Sequence, residues 1–571
     1  MKNIFLLLFA ISGCSSERSE QVVPLNGNWD TYMGDPGRSH YSHLSEINHD
    51  NVAQLELAWS YDSGELREGN SSMYTSPLIV DGILYGLSPK LIAFALNAAT
   101  GEEIWRSDYD GPGAAQRGLM WWQEGDDRRI FYPAGRELIA LHAETGKAVA
   151  SFGRNGRGDL RPADKEGPFF TSVPGIVFKD KLILGFSTAE SANSQAGMSS
   201  ALVARTGDEA FRINRLPREG ALVSETWEEG SLDNAGGANN WTGMTLDEQR
   251  GMLFIPTGSA TPDFYGASRT GDNLFANSLV ALDARTGEYR WHYQTVRHDL
   301  WDRDLPSPPT LVQLERNGAL IDAVALTTKS GHLFVFNRDT GESLYEVYEE
   351  EGLPSSLPGE VVSPTQPVSS VAFTRQEFEL TARNQEAIDY VSALIEPLDQ
   401  RRWAPPSTEG VLFYPAYDGG AEWGGSAYLP DGHKLILNAQ EIGGILRVYE
   451  RPPGFARGLY SENCGSCHGA DRAGTDRGPS LLDITARIST AQINTTVLEG
   501  RGNMPGFGNL ERYKRSALIS YLRNPDIEDL QGDSEEIDYA FAGYIRVRAV
   551  SYTHLRAHET GRNLVCRLLL E

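Results

Sequence analysis

Apolar and polar positions along the chain predict many short β-strands. Residues 76–85 and 181–185 are rich in branched and aromatic side chains and are bounded by Gly, Asp or Pro, which is typical of strands. Residues 539–545 have the same character. One helix is predicted at residues 511–522, where Asn524-Pro525 follows and ends it. Its apolar positions are Leu518, Ile519, Tyr521 and Leu522.

One motif recurs five times. Each copy has an apolar strand, a Thr-Gly turn and a second strand that often opens on an aromatic residue. The turn glycines are Gly101, Gly146, Gly207, Gly287 and Gly341. Glycine allows the positive φ of a tight turn, so each copy predicts a β-hairpin. Repeats of blade size with insertions between them predict a β-propeller, hence an all-β fold class.

Composition and charge narrow the class of protein. The chain has 571 residues, 51 Lys+Arg against 77 Asp+Glu and a formal charge of −26. With 40% hydrophobic residues, this balance indicates a soluble globular protein and excludes disorder, collagen and a polytopic membrane protein. A strongly negative surface repels phosphate groups, so we expect no nucleic-acid partner.

The first residues predict export. One Lys, an apolar run at 4–11 and small residues before Cys14 form a secretory signal that is too short to span a bilayer. Ile11-Ser12-Gly13-Cys14 resembles a bacterial lipobox, which implies a lipid anchor at Cys14. An ordinary signal peptide with an incidental Cys is the alternative. We expect a signal peptide at 1–13, a tether at 14–27 and a periplasmic, membrane-anchored protein of a Gram-negative-type bacterium.

A five-residue motif predicts a haem. In Cys464-Gly465-Ser466-Cys467-His468, two thiols can bond the porphyrin vinyl groups and His468 can ligate the iron. Met504, in a Met-Pro context, is the expected second axial ligand. A zinc site would need another Cys or His pair, and none follows between 469 and 552. A thioredoxin-like pair is disfavoured by the adjacent His. We predict a small helical class I cytochrome c domain at 451–525 with covalent haem c.

The remaining motifs carry a family resemblance. The segment from Asn28-Trp29-Asp30 to Ala58-Trp59 resembles the start of pyrroloquinoline quinone (PQQ) dehydrogenases. Residues 298–306 and 363–367 are similar to the membrane-type glucose and polyol dehydrogenases. The resemblance covers roughly 28–548. It implies an eight-bladed propeller at 28–450 that lacks its last blade or blades, an inserted cytochrome c domain, and a linker with a resumed propeller strand at 526–548.

The resemblance also implies the site residues. Asp302 is the expected general base, and Lys329 is expected to hydrogen-bond the quinone oxygens. Trp241 matches the indole beneath PQQ, and Arg117 matches the arginine that holds a PQQ carboxylate. Further polar contacts to the cofactor are expected from Thr171, Ser187 and Asn438.

A calcium ion is the family's usual metal, as suits oxygen ligands. The resemblance implies Glu190, Thr261 and Asp302 as its ligands. Ser259 stands where many relatives have Asn. Asp304 either faces the metal or is a solvated loop carboxylate.

The expected activity is oxidation of a sugar or alcohol hydroxyl, with electrons passed from PQQ to haem c and on to an external cytochrome or quinone. The substrate stays open, because the chain lacks the vicinal Cys pair of alcohol dehydrogenases and has Gly113 where the glucose enzyme has a His. Alternatives are a cytochrome electron carrier on a degenerate propeller and a non-catalytic lipoprotein scaffold. Residues 549–571 resemble translated adapter sequence, so we expect a truncated gene with a non-native tail and no role for Cys566.

Overall fold

The computed structural model describes residues 27–65, 72–111, 113–160, 170–190, 194–214, 226–228, 230–232, 235–380, 384–523, 538–548 and 565–569. The predicted signal peptide, Cys14 and most of the predicted tail lie outside these ranges. No helix within them combines the length and apolar character needed to cross a membrane.

The described chain is mainly β-structure. The strands are β1 (Leu78–Val80), β2 (Ile83–Leu87), β3 (Ala93–Asn97), β4 (Glu103–Arg106), β5 (Met120–Glu124), β6 (Asp127–Ala134), β7 (Glu137–His142), β8 (Arg157–Asp159), β9 (Ile176–Phe178), β10 (Lys181–Gly185), β11 (Met198–Val203), β12 (Glu209–Asn214), β13 (Gly236–Gly237), β14 (Thr245–Asp247), β15 (Met252–Pro256), β16 (Ala260–Thr261), β17 (Ser278–Asp283), β18 (Tyr289–Gln294), β19 (Thr310–Arg316), β20 (Ala319–Thr327), β21 (Leu333–Asn337), β22 (Val347–Glu351), β23 (Thr365–Ser369), β24 (Val411–Phe413), β25 (Ser426–Leu429), β26 (Lys434–Ala439), β27 (Ile442–Arg451), β28 (Asp538–Arg548) and β29 (Val565–Leu569). The helices are α1 (Gln385–Ile395), α2 (Phe455–Asn463), α3 (Gly465–His468), α4 (Ile484–Arg487), α5 (Thr490–Glu499) and α6 (Arg512–Arg523), with a 3-10 turn at Val52–Gln54.

Most strands pair antiparallel with the next strand of the chain. Four sheets have four strands each, namely β1–β4, β5–β8, β9–β12 and the sheet of β14, β15, β17 and β18. Three-stranded sheets have the orders β19-β20-β21, β24-β27-β28 and β25-β26-β29, and β22 pairs with β23 and β13 with β16. Four-stranded meanders are the blades of a propeller. The predicted all-β propeller fold is therefore confirmed.

The central strands are apolar on both faces because each sheet is covered on both sides. In β6, Ile130 and Tyr132 pack with residues of the β1–β4 sheet, whereas Phe131 between them packs with residues of the β9–β12 sheet. All three side chains are fully buried. Burial of each such side chain contributes about 1.5–3 kcal/mol. The packing of blade on blade thus explains why these strands do not alternate between apolar and polar residues.

The Thr-Gly turns join neighbouring blades. Gly146 has φ 66°, and a Cβ on it would lie 2.3 Å from the Trp105 ring. The Trp105 indole, which belongs to β4, donates from Nε1 to the carbonyl of Ala143 at 2.9 Å. The same arrangement pairs Trp59 with Gly101 and Trp291 with Gly341. The turn glycine therefore gives the chain its turn and also gives the preceding blade's indole a flat surface to pack on.

A helical unit, α2 to α6, lies in the chain between two paired strands. β27 and β28 form a long antiparallel ladder from Ile442↔Arg548 to Arg451↔Asp538. The helical core includes Tyr460, Ile493, Val497, Leu518 and Leu522. α5 begins with a capping box between Ser489 and Gln492, and α6 matches the predicted helix within one residue. Residues 539–545 belong to a strand, as predicted.

Aromatic side chains join the helical unit to strand β27, and a strand of the predicted tail pairs with β26. Tyr449 of β27 packs on Phe455 of α2 and Tyr513 of α6, with ring centroids 5.3 and 4.1 Å apart. These contacts join the helical unit to the sheet. Within the predicted non-native tail, Val565–Leu569 form β29 beside β26.

Candidate active site

Lys329 and two carboxylates form the centre of the site. Lys329 follows β20, and its Nζ donates to Asp302 Oδ1 at 3.0 Å and lies 3.7 Å from Asp304 Oδ2. The three side chains are only 7, 17 and 16% exposed. A Cβ on Gly419 would lie 2.6 Å from Lys329 Cγ, so the glycine lets a loop cover the lysine's aliphatic stem. The ion pair is thus held away from bulk water.

The environment tunes both partners of this pair. Burial raises the pKa of Asp302 well above its ordinary value, with Asp304 adding to the rise and Lys329 opposing it. Burial alone would lower the pKa of Lys329, but the Asp302 and Asp304 carboxylates outweigh burial and raise it. Lys329 therefore stays an ammonium ion, and Asp302 has a raised affinity for a proton, as a general base needs.

Asp299 fixes the loop that carries Asp302. Its carboxylate accepts hydrogen bonds from the backbone N–H groups of Trp301 at 2.9 Å and Arg303 at 2.6 Å. It also accepts from Asn277 Nδ2 at 2.8 Å. Asp302 has φ 53°, a left-handed conformation that costs energy for a residue with a side chain. The bonds to Asp299 on both sides hold the loop in that conformation.

Trp241 lies beside the ion pair. Its Nε1 donates to Asp304 Oδ2 at 2.9 Å, and the Ser259 N–H donates to the other oxygen of that carboxylate. Lys329 Nζ lies 5.9 Å from the Trp241 ring centroid. Asp304, which the sequence left open between two roles, therefore anchors the indole and faces Lys329.

Arg117 lies on the same indole. Its Cζ is 5.4 Å from the Trp241 ring centroid and 4.9 Å from that of Trp423. Nη1 donates to Ser172 Oγ at 3.1 Å and to the Trp241 carbonyl at 3.3 Å. Burial lowers the pKa of Arg117, and Glu422 is among the groups that raise it. The structure thus brings together the predicted Arg117, Trp241, Lys329 and Asp302.

The other predicted cofactor contacts differ in placement. Thr171 is buried next to Ser172, and its hydroxyl donates to the Val173 carbonyl at 3.1 Å. Ser187 is buried three residues before Glu190. Asn438 is exposed on β26, and neither the ion pair nor the Arg117 contacts include it.

Further carboxylates lie close enough to Asp302 and Asp304 to interact with them. Asp263 is buried, and burial together with Asp302 and Glu190 raises its pKa well above the ordinary value. Glu190 is open to solvent on one side, yet partial desolvation and Asp304 raise its pKa against the opposing effect of Lys329. The site therefore holds more acidic groups than its one lysine neutralises.

These oxygens fit a hard cation in part. Asn239 Oδ1 is buried without a hydrogen-bond partner among the described residues, while its Nδ2 donates to Thr188 Oγ1 at 3.0 Å. Excess carboxylate charge and an unpaired amide oxygen suit a cation such as Ca²⁺. The Thr261 hydroxyl is already 2.6 Å from Ser194 Oγ. Over the described ranges, no three His, Cys, Asp or Glu side chains are grouped to hold a metal by themselves.

The second candidate site is in the helical unit. His468 ends α3, is buried and has its Nδ1 2.7 Å from the Pro479 carbonyl. A carbonyl can only accept, so Nδ1 carries the proton and Nε2 is left for a metal. Gly478 packs against the imidazole, because a Cβ there would lie 3.0 Å from His468 Nδ1. Cys464 and Cys467 are free thiols on the same turn.

Met504 lies on a short loop after α5. It is half-buried, and its N–H and carbonyl exchange hydrogen bonds with Arg501 at 3.1 and 3.0 Å. Phe507, three residues later, packs on the helical core. The unit therefore carries two thiols, an imidazole and a thioether, which is the set of residues that a covalently attached haem requires.

Comparison with known proteins identifies the architecture. Residues 29–479 match the family model described as glucose/ethanol/alcohol dehydrogenase, beta-propeller domain, of the PQQ family. The chain belongs to the PQQ dehydrogenase propeller family. Residues 456–522 match the model described as cytochrome c oxidase, cbb3-type, subunit III, so the PQQ propeller is combined with a cytochrome c domain.

Curated and solved relatives agree with this assignment. Quinoprotein glucose dehydrogenase A of Acinetobacter calcoaceticus is 28% identical over 82% of this chain and 64% of its own length. The glycerol dehydrogenase large subunit of Gluconobacter oxydans is 30% identical over 73% of this chain and 60% of its own. The structure of quinohemoprotein alcohol dehydrogenase from Comamonas testosteroni has TM-score 0.57 and 25% identity, over 74% of this chain and 59% of its own. The chain thus spans about three fifths of the relatives' length.

Three residues of the candidate site were not predicted from the sequence. Asp263 and Asn239 are polar residues that lie within two positions of the predicted Thr261 and Trp241. That proximity was the signal that could have identified them. Trp423 lies in the glycine-rich run 419–425, where closely spaced glycines signal a close approach of backbone to another group. Because tryptophans in a propeller also pack between blades, the sequence alone does not indicate that Trp423 lies beside Arg117.

Proposed function

We propose that this protein oxidises a hydroxyl group of a sugar or alcohol with PQQ and passes the electrons through haem c to an external acceptor, a cytochrome or a quinone. The observation that supports this most is the buried pair of Asp302 and Lys329 beside the Trp241 indole. That pair places a proton acceptor and a fixed cation next to a flat aromatic surface.

The residue roles are proposed from the resemblance, and the contacts among Asp302, Lys329, Trp241 and Arg117 support them. Asp302 is the general base and takes the hydroxyl proton of the substrate on its carboxylate. Lys329 remains charged and would donate to the quinone oxygens of bound PQQ, while the Trp241 indole would support the ring system. Arg117 would hold a carboxylate of the cofactor, and Thr171 and Ser187 would supply polar contacts. The contact from Asn438 rests on the resemblance alone, because Asn438 lies outside the Lys329 and Arg117 contacts. PQQ, when bound, supplies the acceptor for the hydride.

A calcium ion or similar cation is proposed among Glu190, Thr261 and Asp302, with Asn239 and Asp304 as further oxygen donors. The support is the surplus of acidic groups around Lys329 together with the unpaired Asn239 oxygen. Such a cation would offset the repulsion among these carboxylates and add positive charge beside the quinone.

The electron-transfer site is proposed in the cytochrome c domain. Cys464 and Cys467 would hold haem c through thioether bonds, and His468 and Met504 would be its axial ligands. The Pro479 carbonyl fixes the His468 ring through Nδ1. Haem c supplies a one-electron carrier between the propeller site and the external acceptor.

The predicted location and domain limits complete the proposal. We place a lipoprotein signal at 1–13, a tether at 14–27 and a lipid anchor at Cys14, with the protein on the periplasmic side. The PQQ propeller is assigned to 28–450, the cytochrome c domain to 451–525, the linker and resumed strand to 526–548 and the non-native tail to 549–571.

The test is turnover by the full chain loaded with PQQ and Ca²⁺. Aldoses, polyols and primary alcohols are screened while haem reduction is followed by absorbance. We expect reduction with at least one substrate class, and a fall in kcat/KM of at least about a hundredfold in Asp302→Asn. Asp180→Asn, an exposed carboxylate on the turn before β10, is the matched control and should leave kcat/KM unchanged.

Other outcomes would reject the proposal. Haem that accepts electrons from external donors, with no turnover on any substrate, would indicate an electron carrier on a degenerate propeller. A chain that incorporates neither PQQ nor haem would indicate a scaffold. Full activity in Asp302→Asn would remove Asp302 as the base.

A further inference from the structure

The contacts of Arg117 restrict it from three sides. The two indoles of Trp241 and Trp423 lie at 5.4 and 4.9 Å from its Cζ. The Nη1 group is occupied by Ser172 Oγ and the Trp241 carbonyl. Among the described residues, Nε and Nη2 have no hydrogen-bond partner, so that edge of the guanidinium can still donate. An Nε–Nη2 edge is one of the two that bind a carboxylate with parallel hydrogen bonds.

Trp423 is carried by a segment fixed to the strand end that bears Lys329. Gly420 N–H donates to the Lys329 carbonyl at 2.7 Å, and Ala421 N–H to the Thr328 carbonyl at 3.3 Å. A Cβ on Gly420 would lie 2.8 Å from Gly331 Cα, so only glycine permits this approach. The backbone that leads to Trp423 is therefore anchored to the backbone around Lys329.

The carboxylate of Glu422 adds an electrostatic interaction to the stacking of Arg117 on Trp423. Glu422, immediately before Trp423, is close enough to stabilise the positive charge of both Arg117 and Lys329. The segment thus places an aromatic ring on one face of the guanidinium and a carboxylate near it. A cation on an aromatic face in a partly desolvated site gains about 2 kcal/mol.

We propose that Trp423 is a positioning residue for the cofactor: it holds the Arg117 guanidinium against Trp241 so that the Nε–Nη2 edge faces a carboxylate of PQQ. This inference rests on the proposed function, since it takes PQQ as the ligand. Trp423 acts through Arg117 alone. Its removal should therefore weaken carboxylate recognition and leave the remaining contacts of the site intact.

The test measures PQQ dissociation constants by equilibrium dialysis on the full chain, without turnover. Trp423→Ala should raise the Kd by up to about thirtyfold, because the variant must order the Arg117 guanidinium on binding and the lost stacking of about 2 kcal/mol sets the upper limit of that cost. Trp423→Phe keeps an aromatic face and should stay within about threefold of wild type. Tyr345→Ala is the control, because Tyr345 also carries an arginine, Arg316, with Cζ 4.7 Å from its ring centroid, and should leave the Kd unchanged.

Two further measurements separate positioning from a general structural effect. With the trimethyl ester of PQQ, which lacks carboxylates, Trp423→Ala and wild type should bind within about twofold. The double variant Arg117→Ala/Trp423→Ala should bind PQQ no more weakly than Arg117→Ala. Additive losses, or an equal loss with the ester, would overturn the inference.

An unchanged Kd for PQQ in Trp423→Ala would also overturn it, while leaving the proposed function in place. Wild-type protein that binds no PQQ would overturn both. Circular dichroism of each variant checks folding. Trp423→Leu, which fills the space without an aromatic face, should raise the Kd as Trp423→Ala does, and it keeps the test decisive if Trp423→Ala does not fold.

Discussion

Replacing Lys329 by Met should destabilise the protein in a pH-dependent manner. The ammonium contacts Asp302 and Asp304 in a site where all three side chains are less than a fifth exposed. Removing one partner of a buried ion pair leaves an uncompensated charge and costs about 3–5 kcal/mol. We expect the free energy of unfolding at pH 8 to fall by this amount in Lys329→Met.

The sign of the pH effect follows from the carboxylates. The pKa of Asp302 is already raised in the folded protein, with Lys329 opposing the rise. Without Lys329 it rises further, so the folded variant takes up a proton that the unfolded chain does not bind until lower pH. Each such carboxyl makes folding less favourable by about 1.4 kcal/mol per pH unit above the unfolded pKa, up to the folded one. Wild type bears part of the same cost, so the loss relative to wild type accrues between the folded pKa of wild type and the higher one of the variant. We therefore expect it to be larger at pH 8 than at pH 5.

The assay is urea unfolding followed by tryptophan fluorescence at both pH values, with the haem absorbance band recorded separately for the cytochrome c domain. Lys181→Met is the control, since Lys181 pairs with Asp180, which is 54% exposed, at the protein surface. That variant should lose less than about 1 kcal/mol at either pH. An equal loss for Lys329→Met at pH 5 and pH 8 would refute the reasoning.

Three further outcomes are expected. Burial and nearby guanidinium groups lower the pKa of His332 to about 3. The contribution of neutral His332 to stability is therefore complete above about pH 6.5 and is lost as pH falls toward 3. We expect His332→Asn to show a smaller drop in Tm from pH 7 to pH 4 than wild type. Gly146→Ala should destabilise by about 1–3 kcal/mol more than Gly125→Ala in urea, because both glycines have positive φ but only a Cβ at Gly146 meets an indole. Gly478→Ala should lower the ratio of haem to protein absorbance, because the new Cβ would press on the His468 ring.

The fold was predictable because its signals are local. The turn glycines, such as Gly101 and Gly287, require a positive φ within a few residues, and that requirement is visible in the sequence. The helix α1 carried a comparable signal, with Asn384 as its N-cap and Val391 and Ile395 on one face. It was not predicted, because Ile395 is the one buried residue of this helix and its apolar face is therefore narrow.

The site was predictable only through resemblance. Arg117, Trp241 and Lys329 are far apart in the chain, and no local pattern states that they meet. Trp423 shows the limit of that approach, because its role depends on a ring reaching the far face of Arg117. Such stacking joins residues that are distant in the chain, so no local pattern predicts it. The closely spaced Gly419 and Gly420 were the one indication of it in the sequence.

The ladder between β27 and β28 has a consequence for haem attachment. The strands flank residues 452–537, a stretch of about 86 residues, and Arg451 lies opposite Asp538 at its base. If that stretch were an open loop, closing it would cost about 4 kcal/mol of chain entropy. A folded cytochrome c domain brings its own ends together and removes much of this cost. Haem insertion, by stabilising the folded domain, should therefore stabilise the pairing of β27 with β28. The melting temperature of the β-structure should be higher in holoprotein than in haem-free protein.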